Sequence, residues 1–407
     1  ARGKVNVVDS LMERIEHVRQ TGFADEIIIE DHVGQKVEDI QKYGIDIFTV
    51  GSDWAGQFDH LREYCEVVYL ERTKGISSTM LRGKRFGIIR LGIIGSGRIA
   101  KRFVPEVKYV SGINTEVVYN PNLESAKNLA QENELQVYTD DIDVLYEHAD
   151  AIYIATPHNT HYEYVKDALN HGKHVLCEKP MVLSEKQATE LFELAEERGV
   201  ILIEALKTAY APGFIKLIST AKSGKIGKIV DAEAAFTKLV TGNGREFQKE
   251  ENGGSFTELG SYPLLAIFKI FGTNYKEVHF KSFCNKDGID LYTKADIEYE
   301  HAVASIKVGL GVKSEGNLVI SGTRGNIIAD APWWMTKNFE IHYENTDLNE
   351  KYFSMYLGQG LRYEIAAFVS LINHYDRKQI MSKKESIALA RVMEAFLQDE
   401  QKKIIEL

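Results

Sequence analysis

The 407-residue chain is 44% hydrophobic and 27% charged, the composition of a folded globular protein long enough for two to three domains. Its formal charge of -10 comes from interleaved acidic and basic residues with no basic tract, which excludes bulk attraction to nucleic acid and leaves a local basic pocket as the way to hold a small anion. Cys65, Cys177 and Cys284 lack metal-type spacing, no apolar run reaches bilayer length, and the start "ARGKVNVVDS" has no signal-peptide core, so the expectation is a cytoplasmic protein with no metal site and no membrane partner.

A helical apolar pattern over 10–24 is followed by "EIIIE" (26–30), "IDIFTV" (45–50) and "EVVYL" (66–70), each read as a short strand of a small parallel sheet. The basic stretch "RGKRFG" (82–87) marks a boundary. Strand and helix then alternate through "IIRLGIIGSGRIA", "TEVVYN" (115–120), "LESAKNLAQEN", "AIYIATP" (151–157), a helix from Tyr162 to Asn170, "HVLCEKP" (174–180), a helix over 184–198 and "VILIEAL" (200–206), a succession that predicts a doubly wound domain. From about residue 225 closely spaced strands predict one open, largely antiparallel sheet, with helices over 257–271, 361–375 and 384–404 covering one face. The expected fold is therefore α/β, with a partial domain over 1–83, a Rossmann domain over 84–207 and an α+β domain over 208–407.

Gly95, Gly97 and Ala100 form G-x-G-x-x-A between an apolar strand and a helix. The first glycine permits the tight turn, the second lets a pyrophosphate approach the backbone, and the small third residue brings the helix close to the sheet. Arg98 and Ile99 open that helix, whose free N–H groups face the phosphates. The next strand ends at Asn120, where an acid would select ribose hydroxyls and an arginine a 2′-phosphate. An amide can hydrogen-bond a ribose hydroxyl, which tilts the expected cofactor from NADP towards NAD.

With "CEKP" at 177–180, and with "GIIGSGRIA" (92–100), "ATPHNTHYEYVKDALNHGKHVLCEKPM" (155–181), "EALKTAYAPGF" (204–214) and "NGGSFTELGSYPL" (252–264) in the same order, residues 86–407 resemble the Gfo/Idh/MocA oxidoreductase family. The resemblance implies that Thr156, Pro157, His158 and His161 border the nicotinamide, that Glu178 and Lys179 lie where nicotinamide and substrate meet, and that the Lys179–Pro180 bond is cis. It further implies that Glu258 and Tyr262 stand where relatives carry an Asp and, four residues later, a His or Tyr. That spacing puts both on one helix face, with Pro263 starting or kinking the helix. Hydride exchange with a carbinol carbon needs a proton to leave or reach its oxygen, and a lysine beside a cationic nicotinamide suits that exchange. Tyr262 is the expected proton relay and Glu258 the group that orients substrate or lysine; packing and helix-dipole roles are the plainer alternatives, as is backbone satisfaction for His161. Where relatives often have an Arg, this chain has Ala209, while Lys207 and Lys238 offer charge for a phosphate.

"FTVGSDWAGQFDHLREYCEVVYLERTKGISSTMLR" looks like the C-terminal part of a glycerol-3-phosphate-type cytidylyltransferase. The resemblance assigns nucleotide binding to Arg14, Arg72, Ser77, Ser78 and Thr79, a guanidinium fork and hydroxyls at a helix start. The H-x-G-H motif and first strand of that family do not precede them, so no cytidylyl transfer is expected of residues 1–83 as they stand, and CTP becomes a partner only of a complete domain. The combined expectation is an NAD(P)-dependent enzyme acting on a sugar, polyol or sugar phosphate, and a homo-oligomer. A dinucleotide-sensing regulator and a nucleotidyltransferase with a structural redox domain are its rivals.

Overall fold

The computed structural model describes residues 11–29, 34–71, 87–241, 244–373, 379–399 and 403–406, which divide between a unit within Asn6–Gly87 and a unit from Ile88 onwards. In the smaller unit, helices α1 (Leu11–Gln20) and α2 (Gln35–Tyr43) accompany parallel strands β1 (Ile47–Gly51) and β2 (Glu66–Leu70), in register from Ile47 opposite Glu66. Ile40, Leu61 and Val67 form its core. The strand expected over 26–30 is not formed in its described part: Ile28 and Ile29 are exposed, and the Ile29 carbonyl accepts from Gln35 Nε2 (2.8 Å) instead of from a sheet neighbour. Arg72, Ser77, Ser78 and Thr79 lie outside the described residues, as does the side chain of Arg14, whose backbone belongs to α1.

In the larger unit β3 (Ile89–Ile94), β4 (Ile113–Tyr119), β5 (Val137–Thr139), β6 (Ala151–Ile154), β7 (His174–Glu178) and β8 (Leu202–Ala205) make a parallel sheet in the order β5-β4-β3-β6-β7-β8. Helices α3 (Arg98–Val107), α4 (Leu123–Glu132), α5 (Ile142–His148), α6 (His161–Asn170) and α7 (Glu185–Arg198) connect them, the doubly wound order with its crevice where β3 and β4 diverge from β6. Burial on both faces explains the unbroken apolar runs: Leu91, Ile93 and Ile94 are fully buried.

After α8 (Pro212–Lys222), the chain lays down β9 (Ile229–Thr237), the helices α9 (Ser255–Leu259) and α10 (Ser261–Phe271), and then β10 (Glu277–Cys284), β11 (Asp290–Glu298), β12 (Val303–Gly309), β13 (Leu318–Gly322), β14 (Gly325–Ala329), β15 (Asn338–Tyr343) and β16 (Glu350–Phe353). It closes with α11 (Leu361–Asn373), α12 (Lys383–Gln398) and β17 (Lys403–Glu406). The sheet order is β16-β15-β14-β13-β9-β12-β11-β10-β17, antiparallel except at β9–β12 and β10–β17. Helices pack on one face through aromatic contacts, Phe256 meeting Phe396 at 4.4 Å and Phe280 at 5.3 Å between ring centroids. One hydrophobic core runs from Leu91 and Ile93 through Phe256 to Ile306 and Ile320, so the two sheets of this unit share an interior. No described helix is long and apolar enough to cross a membrane.

Two expectations change here. The helix foreseen over 384–404 ends at Gln398, because its apolar stripe (Leu389, Val392, Met393, Phe396) has no continuation at Asp399, and the β-branched pair Ile404–Ile405 joins the sheet edge beside Lys281–Cys284. The helix foreseen over 257–271 is two helices meeting at Gly260. Pro263 has no N–H for the Leu259 carbonyl four residues back and its ring crowds that carbonyl, which breaks the run there.

Candidate active site and dinucleotide cleft

The glycine turn is built as its residue types require. Gly95 adopts φ +99°, and a Cβ on it would lie 2.6 Å from the Ala155 carbonyl oxygen. Its N–H donates to the Tyr119 carbonyl (2.9 Å), tying the turn to β4. A Cβ on Gly97 would meet nothing within 4 Å, so the backbone at the head of α3 is open to a ligand, while Ala100 is fully buried against the sheet. Asn120 stands beside this turn: its Nδ2 donates to Ser96 Oγ (2.9 Å) and its Oδ1 accepts from the Asn122 N–H (2.8 Å). The exposed Arg98 guanidinium lies 4.0 Å from Glu246 Oε1.

Arg98 and Ile99 also line a cavity of about 830 Å³ that gathers most of the remaining candidates: Thr156, His158, His161, Glu178, Lys179, Glu258 and Tyr262, together with Lys207 and Lys238. Pro157 is exposed and is not on its wall. Lys179 follows β7 through a cis bond to Pro180. Its Nζ donates to the main-chain carbonyl of Glu258 (2.9 Å) and lies 5.9 Å from the Tyr262 ring centroid. Carbonyls in the last turn of a helix have no intrahelical partner, and α9 offers this one to the ammonium.

Glu178 accepts from Tyr153 Oη (2.6 Å) and from the Lys179 N–H (3.2 Å). Burial holds its carboxyl above the ordinary range, against the opposing pull of Lys179 and the tyrosine. Burial, then the Glu178 charge, raises the Tyr262 phenol well above its usual value, so that Tyr262 keeps its proton. The Glu258 carboxylate lies 3.3 Å from Arg245 Nη2 and 3.7 Å from His158 Nε2. Burial depresses His158 well below the usual histidine value and leaves it a neutral imidazole, whose Nδ1 has no partner among the described residues. His161, fully buried and lowered to about 4 by burial, has ring nitrogens 2.9 Å from the Pro180 carbonyl and 3.0 Å from the Thr156 carbonyl, and so bridges the two loops that carry Lys179 and His158.

Sequence reasoning had not singled out Arg245, Tyr153 or the aromatic residues Phe236 and Trp334 of the opposite wall. Tyr153 carried a legible sign, a phenol inside an otherwise aliphatic buried strand that needs a partner. Arg245 sits in a loop and carries no periodic signal.

Two matches with known families cover most of this unit. Residues 89–206 match the oxidoreductase family with an NAD-binding Rossmann fold (GFO_IDH_MocA), and residues 214–328 match the GFO/IDH/MocA C-terminal domain. The chain belongs to this oxidoreductase family. It is accordingly an NAD(P)-dependent dehydrogenase or reductase. Scyllo-inositol 2-dehydrogenase (NADP(+)) IolU of Bacillus subtilis is 28% identical over 330 residues, 75% of this chain and 95% of the relative. A trans-1,2-dihydrobenzene-1,2-diol dehydrogenase of Xenopus tropicalis is 26% identical over 325 residues, 75% of this chain and 96% of the relative. The fold is shared with the 3-ketoreductase KijD10 of Actinomadura kijaniata in complex with NADP and TDP-benzene, at TM-score 0.70 and 22% identity over 79% of this chain and 99% of that one. The family match starts at residue 89 and leaves the cytidylyltransferase resemblance of residues 1–83 as a reading of the sequence.

Proposed function

We propose that this oxidoreductase interconverts a carbinol and a carbonyl on a sugar, polyol or sugar phosphate, with Lys179 exchanging the proton. One observation carries the reading: the Lys179 ammonium is held 2.9 Å from the Glu258 carbonyl, at the wall of a cavity that reaches the head of the glycine-turn helix. The open backbone at Gly97 and the φ of Gly95 fit a dinucleotide pyrophosphate, held by Gly95, Gly97, Arg98 and Ile99. Bound there, the nicotinamide supplies or accepts the hydride. Thr156, His158 and His161 shape the adjoining wall, and burial keeps the His158 imidazole neutral, which spares a cationic ring a like charge there. Lys179 gives its proton to the oxygen that forms on reduction, or takes it on oxidation, and Tyr262 relays it. Glu258, neutralised by Arg245, orients the reacting hydroxyl. Glu178 fixes the backbone of Lys179 by accepting its N–H. The Asn120 amide can hydrogen-bond a ribose hydroxyl, which favours NAD over NADP, and turnover measured with each tests that choice.

The deciding experiment is Lys179→Ala with dinucleotide binding followed by fluorescence. Proton transfer by a positioned group contributes about 100- to 10,000-fold, so turnover falls by that factor while dinucleotide affinity is kept. Turnover within about threefold of the parent would refute the assignment and favour a dinucleotide sensor. Among the relatives, IolU is a scyllo-inositol dehydrogenase and KijD10 a 3-ketoreductase, which agrees with the substrate class. Residues 1–83 are proposed as part of a cytidylyltransferase, on the Arg72 to Thr79 run and Arg14; CTP titration of a protein in which the H-x-G-H segment precedes them tests this, and absence of binding there removes it. A homo-oligomer joined through the helix-free sheet face is read by light scattering.

A further inference from the structure

The cavity wall has the opposite charge balance from the protein as a whole. Its only carboxylates among the described residues are Glu178 and Glu258, against seven basic side chains. Arg245 is offset by Glu258, Lys179 is assigned to the reacting oxygen, and Arg98 and Arg102 lie on the glycine-turn helix, where a dinucleotide pyrophosphate is accommodated. Lys207 Nζ donates to the Gln359 carbonyl (2.8 Å), in the loop before α11. That leaves Lys238 and Lys313, neither of which has an ion-pair partner among the described residues. Both belong to the second domain. Lys313 Nζ donates to the Thr237 carbonyl (3.0 Å), which draws its ammonium over the end of β9, and Lys238 is the residue that follows Thr237. Two like charges brought to one strand end repel each other, and a bound anion is what relieves that repulsion.

Between this strand end and Lys179 lies an aromatic floor. Trp334 stacks on Phe236 with 3.6 Å between centroids, and Phe236 meets the edge of Tyr262 at 5.0 Å. Such faces suit the C–H surfaces of a polyol chain or sugar ring. We propose that the substrate carries a phosphoryl group, which Lys313 and Lys238 hold while its carbons rest on Phe236 and Trp334 and its reacting oxygen faces Lys179. The inference rests on the carbinol–carbonyl reading above and narrows it. A phosphate monoester and the diphosphate of a nucleotide-linked sugar share this chemistry.

The test uses the full chain with NADH and NADPH and pairs D-fructose with D-fructose 6-phosphate, D-ribulose with D-ribulose 5-phosphate, and each with a nucleoside diphosphate ketose. The phosphorylated member is turned over with the higher kcat/KM. A hydrogen-bonded charge contact contributes enough that Lys313→Ala raises its KM about 10- to 100-fold, with kcat and the neutral sugar little changed. Lys238→Ala acts in the same direction. Inorganic phosphate competes with the substrate in the parent and not in Lys313→Ala. The monoester and nucleotide arms identify the source of the phosphoryl group. Equal turnover of neutral and phosphorylated sugars, or a Lys313→Ala effect on both alike, overturns the inference and leaves the hydride reading standing. If no carbonyl compound is reduced, the hydride reading fails. Calorimetric titration of the sugar phosphates into dinucleotide-loaded protein then decides the anion site: binding lost in Lys313→Ala upholds it, and no binding to the parent overturns it.

Discussion

Replacing Glu106 by alanine tests how the loop at the cavity rim is anchored. Glu106, on α3, accepts from Arg362 Nε (2.7 Å) and Nη2 (2.9 Å), from the Arg362 N–H (3.3 Å) and from the Gln359 N–H (3.2 Å). The two side chains are only 8% and 10% exposed, and the guanidinium also lies 3.9 Å from the Tyr109 ring centroid. Removing one partner of a buried pair strands the other charge, at a cost of about 3–5 kcal/mol. Glu106→Ala should lose that much in urea unfolding followed by the fluorescence of Trp333 and Trp334. The double variant with Arg362→Met should recover part of the loss, since no unpaired charge remains. Burial by itself would raise the Glu106 carboxyl, but the Arg362 pairing outweighs it and the net shift is downward. A carboxylate depressed in the folded state stabilises fully above its unfolded pKa, near 4.3, and that stabilisation disappears as pH falls through the folded value. The parent therefore converges on Glu106→Ala in acid. A loss under about 1 kcal/mol at neutral pH, or strict additivity in the double variant, would show the pair to be idle.

The other predictions concern the site itself. Gly95→Ala puts a methyl 2.6 Å from the Ala155 oxygen at φ +99°, so dinucleotide binding measured by fluorescence should be lost; unchanged affinity would contradict the glycine argument. Burial raises Glu204 to about 7. Its folded form thus prefers the proton, and stability falls by about 3 kcal/mol as pH rises from near 4.5 to 7; Glu204→Gln should flatten that slope in denaturation curves at pH 5 and 8, and an unaltered slope refutes the assignment. Tyr262→Phe should lower kcat by at least tenfold while sparing dinucleotide affinity, whereas a change in affinity alone would mark Tyr262 as a packing residue.

Much of the doubly wound domain was legible because strands buried on both faces read as continuous apolar runs, and because the glycine spacing has few structural settings. The second sheet was legible from alternation, as in "NFEIHY" (338–343), whose Phe339 and Ile341 are buried. The site was legible as a set of residue types, not as contacts. The acceptor for Lys179 is a main-chain carbonyl 79 residues away, and a carbonyl has no side-chain signature. Arg245 acts by reaching Glu258 from a loop, which no periodicity announces. The isoleucines at 27–29 read as a buried strand, yet Ile28 and Ile29 are exposed and the Ile29 carbonyl accepts from the Gln35 side chain.

The break at Gly260 separates two jobs that a single continuous helix would have fused. Because the amine is moored by peptide oxygen, the side chain at position 258 can lengthen, shorten or change its partner without dragging Lys179 along. Under the substrate-orienting role proposed for Glu258, Glu258→Asp should retune selectivity while the contact between Lys179 and the peptide oxygen survives.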